Sequence, residues 1–159
     1  MEFDLDYARN VICAEAEAIA AMTPIVNDQF AKAVEMIYNC RGSCIVSGMG
    51  KAGIIGRKIS ATLASTGTPS HFLHPAEAVH GDLGRLRDDD IVLILSYGGE
   101  TDEVVRMINL VKQRQIPMIA LTGGSDSTLS RYSDVVLCMG KVHEACPLGV
   151  APSVSTTCM

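Results

Sequence analysis

The 159 residues are 48% hydrophobic, enough to bury the core of one α/β domain and hardly of two, so a single domain over 1–159 is expected. A net charge of -5 with only 13 Lys and Arg argues against nucleic acid as a partner, since such proteins gather positive charge on one face. The start, Met1-Glu2-Phe3-Asp4, is acidic, and no apolar run approaches the roughly 18 residues of a bilayer span; no membrane association and a cytoplasmic location are expected.

Ala8, Val11, Ile12, Ala18, Ile19 and Met22 recur at helical spacing, as do Phe30, Ala33, Val34 and Ile37, with Pro24 between the two segments. The chain therefore opens with two helices. Strand and helix then alternate: strand 44–46, glycine-rich turn, helix 51–65, strand 70–73, a loop, strand 91–95, helix 100–114, strand 118–121, short helix 128–132 and strand 135–138. This order predicts a three-layer αβα sandwich around a parallel sheet of about five strands, doubly wound in the flavodoxin-like manner. Runs such as Ile91-Val92-Leu93-Ile94-Leu95 are apolar at consecutive positions, which fits strands covered on both faces. After Cys146-Pro147-Leu148-Gly149, the run from Pro152 to Met159 reads as the start of a further helix whose continuation and tail are expected to be missing.

Six cysteines include no Cys-x-x-Cys pair and are read as reduced thiols. Cys40 and Cys44, flanked by apolar residues, are expected to be small buried hydrophobes rather than zinc ligands.

Two turns have the chemistry of a phosphate cradle. Ser47-Gly48-Met49-Gly50-Lys51 follows one strand and Ser96-Tyr97-Gly98-Gly99-Glu100-Thr101 another, and each leads into a helix whose amides and positive dipole end meet the sheet's carboxyl edge. A small phosphorylated ligand can be held there without a basic surface. Gly48-x-Gly50-x-x-Gly53 also matches the dinucleotide fingerprint, but 68–74 lack the acidic residue that a ribose requires, and no Walker A loop is present. Lys51 opens a helix, where the dipole disfavours a cation unless an anion comes close. Ser96 and Thr101 offer hydroxyls to a phosphate; their bland alternative is helix capping. Glu100 is read as a dipole partner of the following helix, with Glu103 one turn on along the same face. The 74–84 loop brings together His74, Glu77, His80 and Asp82, which suits sugar hydroxyls or an opportunistic zinc. His143 is read as a surface imidazole.

Taken together, Gly48-Met49-Gly50-Lys51, Ser65-Thr66-Gly67-Thr68-Pro69, His74-Pro75-x-Glu77-Ala78-x-His80-Gly81-Asp82-Leu83-Gly84, the 96–101 turn and Glu144-Ala145-Cys146-Pro147-Leu148-Gly149 resemble the sugar isomerase (SIS) domain of arabinose-5-phosphate isomerases. The resemblance implies an aldose-ketose isomerase that interconverts D-ribulose 5-phosphate and D-arabinose 5-phosphate for 3-deoxy-D-manno-octulosonate synthesis. It further implies no cofactor, and a homotetramer with sites shared between subunits. By its motifs, Lys51, Glu103 and Glu144 would be catalytic. Ser47, Gly48, Gly67, Thr68, His74, His80, Ser96, Tyr97, Thr101 and Arg106 would contact substrate, with inhibitory zinc at His74. Gly98 stands where relatives carry a serine, removing a hydroxyl worth about 0.5–1.5 kcal/mol if it made one net hydrogen bond. A later catalytic histidine of a His-Pro-Gly-Gly segment and paired CBS modules have no counterpart in the sequence, so substrate binding with poor turnover is expected. An isomerase of another phosphosugar and a non-catalytic phosphosugar sensor are the alternatives left open.

Overall fold

The computed structural model describes residues 3–159. Five strands, β1 (Cys44–Gly48), β2 (Ser70–Phe72), β3 (Ile91–Leu95), β4 (Met118–Thr122) and β5 (Val135–Cys138), form one sheet in the order β2-β1-β3-β4-β5. Every neighbouring pair is parallel. The helices are α1 (Leu5–Ala21), α2 (Asp28–Tyr38), α3 (Gly50–Ser65), α4 (Pro75–Val79), α5 (Asp102–Gln113), α6 (Thr128–Tyr132) and α7 (Val154–Cys158).

The apolar runs of the strands separate by the two-residue pleat into two cores. From β3, Val92 and Ile94 face α5, where Val104, Met107, Ile108 and Val111 meet them. Ile91, Leu93 and Leu95 face the other way, toward Ala33 of α2 and Ile55, Ile59 and Leu63 of α3. Each fully buried side chain of this kind contributes about 1.5–3 kcal/mol, and it takes both faces to make consecutive positions apolar. At the amino edge, Asp90 is 3% exposed and its carboxylate accepts the amides of Ser43 (2.7 Å) and Arg87 (2.8 Å), tying β1 to the start of β3.

Three local features differ from expectation. The 74–85 stretch, read as a loop, contains α4 and a 3-10 turn (Asp82–Arg85), both too short to display a period. A second 3-10 turn, Thr23–Ile25, separates the first two helices around Pro24. α5 starts at Asp102, so Glu100 does not share its face with Glu103: Glu100 turns to α6, where its Oε1 accepts the Thr128 amide at 2.6 Å. That bond holds the Glu100 carboxyl below its ordinary range.

The expected further helix after Pro152 is present as α7, against which α1 packs. Otherwise α1 lies outside, with no buried residue and with Leu5, Ile12 and Ile19 all more than half exposed. Cys44 is buried and Cys40 partly so, and all six cysteines are free thiols. No described helix is long and apolar enough to cross a membrane.

Candidate functional site

In the order β2-β1-β3-β4, the connection leaving β1 runs to β2 on one side and the connection leaving β3 runs to β4 on the other, which opens a crevice beyond the carboxyl ends of β1 and β3. Gly48 and Leu95, the last paired residues of these strands, form its floor line. From Gly48 the chain turns into α3, and from Leu95 it passes through 96–101 into α5, so both helices start at the crevice. Met49, Lys51, Ala52, Ser96, Tyr97, Gly98 and Thr101 line one part of it and Pro152, Ser155, Thr156 and Met159 the other, around about 250 Å³. That is room for a small metabolite, below the range of about 300–1,000 Å³ for drug-sized ligands.

The first-turn amides decide what the crevice favours. α1, α2 and α6 have side-chain caps from Asp4, Asn27 and Ser127. The N-cap residues of α3, α4, α5 and α7 make no side-chain cap bond; Glu144 takes the α7 amides instead, and of the other three helices α3 and α5 start at the crevice, at Met49 and Thr101. Two positive dipole ends therefore meet at this space, α3 through Lys51 and Ala52 and α5 through its N-cap Thr101, an arrangement that suits an anion even though Asp102 and Glu103 stand in the first turn of α5. Lys51 adds its charge in the first turn of α3. Among the described residues the ion pairs are Asp6–Arg9, Asp82–Arg85, Lys112–Asp134 and Asp88–Arg114, so Lys51, Arg106 and Glu103 enter none.

Glycine geometry brings the pieces this close. Gly50 has φ +56° and Gly99 φ +68°, left-handed values that L side chains resist. A methyl group at position 53 would lie 2.5 Å from the Gly48 carbonyl oxygen, so α3 can sit this tightly on the end of β1 only with glycine there. The Gly48-x-Gly50-x-x-Gly53 spacing thus serves a tight turn and helix-strand packing, without a dinucleotide's ribose partner.

Of the residues expected at the site, Lys51, Ser96, Tyr97 and Thr101 line the crevice and Gly48 ends the strand beneath it. Ser96 Oγ accepts the Gly99 amide (3.2 Å) and lies 3.4 Å from Thr101 Oγ1, so the two hydroxyls shape one turn. Ser47 does not reach the crevice: it is 0% exposed and its hydroxyl donates to the Leu73 carbonyl at 2.7 Å. Gly67 and Thr68 lie at the opposite, amino edge, in a hollow with Cys40 and Cys44, because the segment entering β2 must start where the strand starts. His74 and His80 bracket α4 at the carboxyl edge, one strand over, and neither lines the crevice. The His74 ring stands edge-on to Phe72 with its Nδ1 buried and unpartnered. Among the described residues no group of three or more His, Cys, Asp or Glu is placed to hold a metal ion, so none supplies companion ligands to His74. Arg106 is exposed on α5, and Glu103 is partly buried in its first turn.

Glu144 holds the C-terminal wall in place. Its carboxylate accepts the amides of Ser153 (2.9 Å), Val154 (2.8 Å) and Ser155 (3.2 Å), capping α7 and presenting Ser155 and Thr156 to the crevice. Sequence reasoning missed Ala52, Pro152, Ser155, Thr156 and Met159 as lining residues, and gave Met49 no role beyond its place in the first cradle turn. The helix-start pattern after Pro152 was the available signal, but its return to the crevice depends on Glu144.

A family model for the SIS domain matches residues 36–159. Arabinose 5-phosphate isomerase KdsD of Escherichia coli (strain K12) is 46% identical over 156 residues, 98% of this chain and 48% of that protein. KdsD of Pseudomonas aeruginosa is 45% identical over 160 residues, 99% of this chain and 49% of that protein. The chain thus spans about half the length of the curated relatives it matches. Among solved structures, E. coli CFT073 c3406 in complex with arabinose 5-phosphate superposes with a TM-score of 0.92 at 36% identity, covering 97% of this chain and 82% of that one. Because the family match takes in all five strands and both glycine-rich turns at the crevice, the chain belongs to the SIS domain family.

Proposed function

We propose that the protein is an aldose-ketose isomerase that interconverts D-ribulose 5-phosphate and D-arabinose 5-phosphate, binding the phosphate between the first turns of α3 and α5. The observation that carries this reading is the pair of helix N-termini without side-chain caps that open on one crevice beside Lys51. The likeness to relatives named arabinose 5-phosphate isomerase, and to a solved structure with that sugar phosphate bound, supports the choice of sugar.

The reaction moves a proton between C1 and C2 through a cis-enediol(ate), for which a carboxylate in hydrogen-bond reach supplies about 10²–10⁴-fold. Glu103 and Glu144 are the carboxylates for this step. Glu103 enters none of the ion pairs among the described residues, whereas Glu144 must share its oxygens with the α7 amides. Lys51 steadies the negative charge that develops on the substrate oxygens. The sites work in a homotetramer, a reading supported by the exposed Leu5, Ile12 and Ile19 of α1, and in the cytoplasm the product feeds 3-deoxy-D-manno-octulosonate synthesis.

The test is an isomerase assay with pentose, hexose and heptose phosphates. Turnover of ribulose 5-phosphate to arabinose 5-phosphate in preference to the others is expected. Binding without turnover of any of them would leave a phosphosugar sensor and overturn the proposal.

A further inference from the structure

Tyr97 contributes to the crevice wall, yet its hydroxyl is committed elsewhere. That oxygen accepts the Val142 amide at 2.8 Å and donates to the Val142 carbonyl at 3.3 Å, gripping a residue 45 positions away and two before Glu144. The backbone end of Tyr97 is fastened as well. Its carbonyl accepts the Gly123 amide (2.9 Å) and the Thr122 hydroxyl (3.1 Å) at the tip of β4. The ring passes close to Gly123: a methyl group there would come 2.6 Å from Tyr97 Cε2 and 2.9 Å from Cδ2, so position 123 has to be glycine for the ring to reach across. Farther along the same loop, the Tyr7 hydroxyl donates to the Ala145 carbonyl (2.7 Å), and Glu144 itself is held by the α7 amides.

We infer that Tyr97 is a positioning residue: one side chain that grows from the phosphate turn and sets where the Glu144 loop stands. Val142, Glu144 and Ala145 are each pinned by a different element, and the Val142 pin is the one made from the 96–101 turn. A ligand settling on the 96–101 turn therefore presses on the residue that holds Val142, two positions before the glutamate. The role is carried by the hydroxyl, and it leaves the Tyr97 amide in the 96–101 turn free for the substrate contact expected there. The inference rests on the proposed role of Glu144 in proton transfer. A loop misplaced by about 1 Å is enough to cost up to about 10²-fold in rate.

The experiment compares Tyr97→Phe, which keeps the ring over Gly123 and deletes both bonds to Val142, with the parent in the full-length protein. The expected result is a kcat lowered about tenfold or more with KM changed less than about twofold, together with faster amide exchange at 141–146 and unchanged exchange at 98–101. A raised KM with kcat intact would make the hydroxyl a substrate contact and overturn the inference. Unchanged kinetics would overturn it equally. Should Tyr97→Phe fail to fold, Val142→Pro deletes the amide donor and leaves the tyrosine in place; the same kinetic split and exchange pattern is expected. If the parent protein isomerises no pentose phosphate, the proposed function fails on its own, and exchange at 141–146 still decides the positioning claim, which falls if Tyr97→Phe leaves that exchange unaltered.

Discussion

Replacing Gly53 by alanine tests how the tight seat of α3 builds the crevice. The new methyl would stand 2.5 Å from the Gly48 carbonyl oxygen and 3.1 Å from its carbon, with the Phe72 ring at 3.5 Å. The first obstacle is backbone at the end of β1, so the helix has to withdraw by at least 0.5 Å to restore even a 3.0 Å contact. Overpacking of this kind costs about 1–3 kcal/mol, while alanine in a helix interior returns about 0.5–1 kcal/mol. A net loss of about 1–2 kcal/mol lowers Tm by about 2–8 °C in a chain of this size. The same withdrawal carries the α3 amides and Lys51 away from the 96–101 turn, so affinity for arabinose 5-phosphate falls more than stability does. Gly56→Ala is the control, because there the methyl meets only side chains, Phe72 at 3.1 Å and Val46 at 3.3 Å, which can give. Thermal melts and calorimetric titration read both effects. If Gly53→Ala melts and binds like the parent, the contact between α3 and β1 does not position the site.

At position 98 a side chain would meet nothing within 4 Å and the backbone needs no left-handed φ, so Gly98→Ser fits without strain and offers the missing hydroxyl to the phosphate. Calorimetry should show affinity tightened by about twofold to tenfold, and weaker binding would contradict the assignment. Lys51→Met removes the cation from the crevice; a loss of about tenfold to a hundredfold in affinity for arabinose 5-phosphate is expected with Tm unchanged. Asp90→Asn leaves one of the Ser43 and Arg87 amides facing a donor, and urea titration should show a loss of about 1–3 kcal/mol. Burial pushes the Cys44 thiol from its ordinary 9.0 up to about 12. Between those values the unfolded chain binds fewer protons than the native one, so stability falls as pH rises, by about 1.4 kcal/mol per unit from this thiol. Cys44→Ala should lose that slope in urea titrations from about pH 8 to about pH 11, and an unaltered slope would contradict the assignment.

The sheet was legible because double burial writes itself into consecutive apolar positions, as at 91–95. The short α4 and the two 3-10 turns carry too few residues to show a period. At the site, Lys51, Ser96 and Thr101 were readable from strand-turn-helix order alone. Ser47 was not, since a serine hydroxyl inside a strand looks the same in sequence whether it meets a ligand or, as here, the Leu73 carbonyl. Gly67 and Thr68 show the opposite case: strand polarity alone places residues that enter β2 at the amino edge, away from the crevice. The grip of Tyr97 on Val142 and of Glu144 on α7 joins distant segments, and no local pattern announces such pairs.

The central claim is that the α3 and α5 termini hold one sugar phosphate between them, and a crystal structure with arabinose 5-phosphate tests it most directly. The predicted result is the phosphate within hydrogen-bond distance of the first-turn amides of both helices, with C1 and C2 toward Glu103 or Glu144. A phosphate bound outside the crevice between β1 and β3, or held by neither helix terminus, would contradict it.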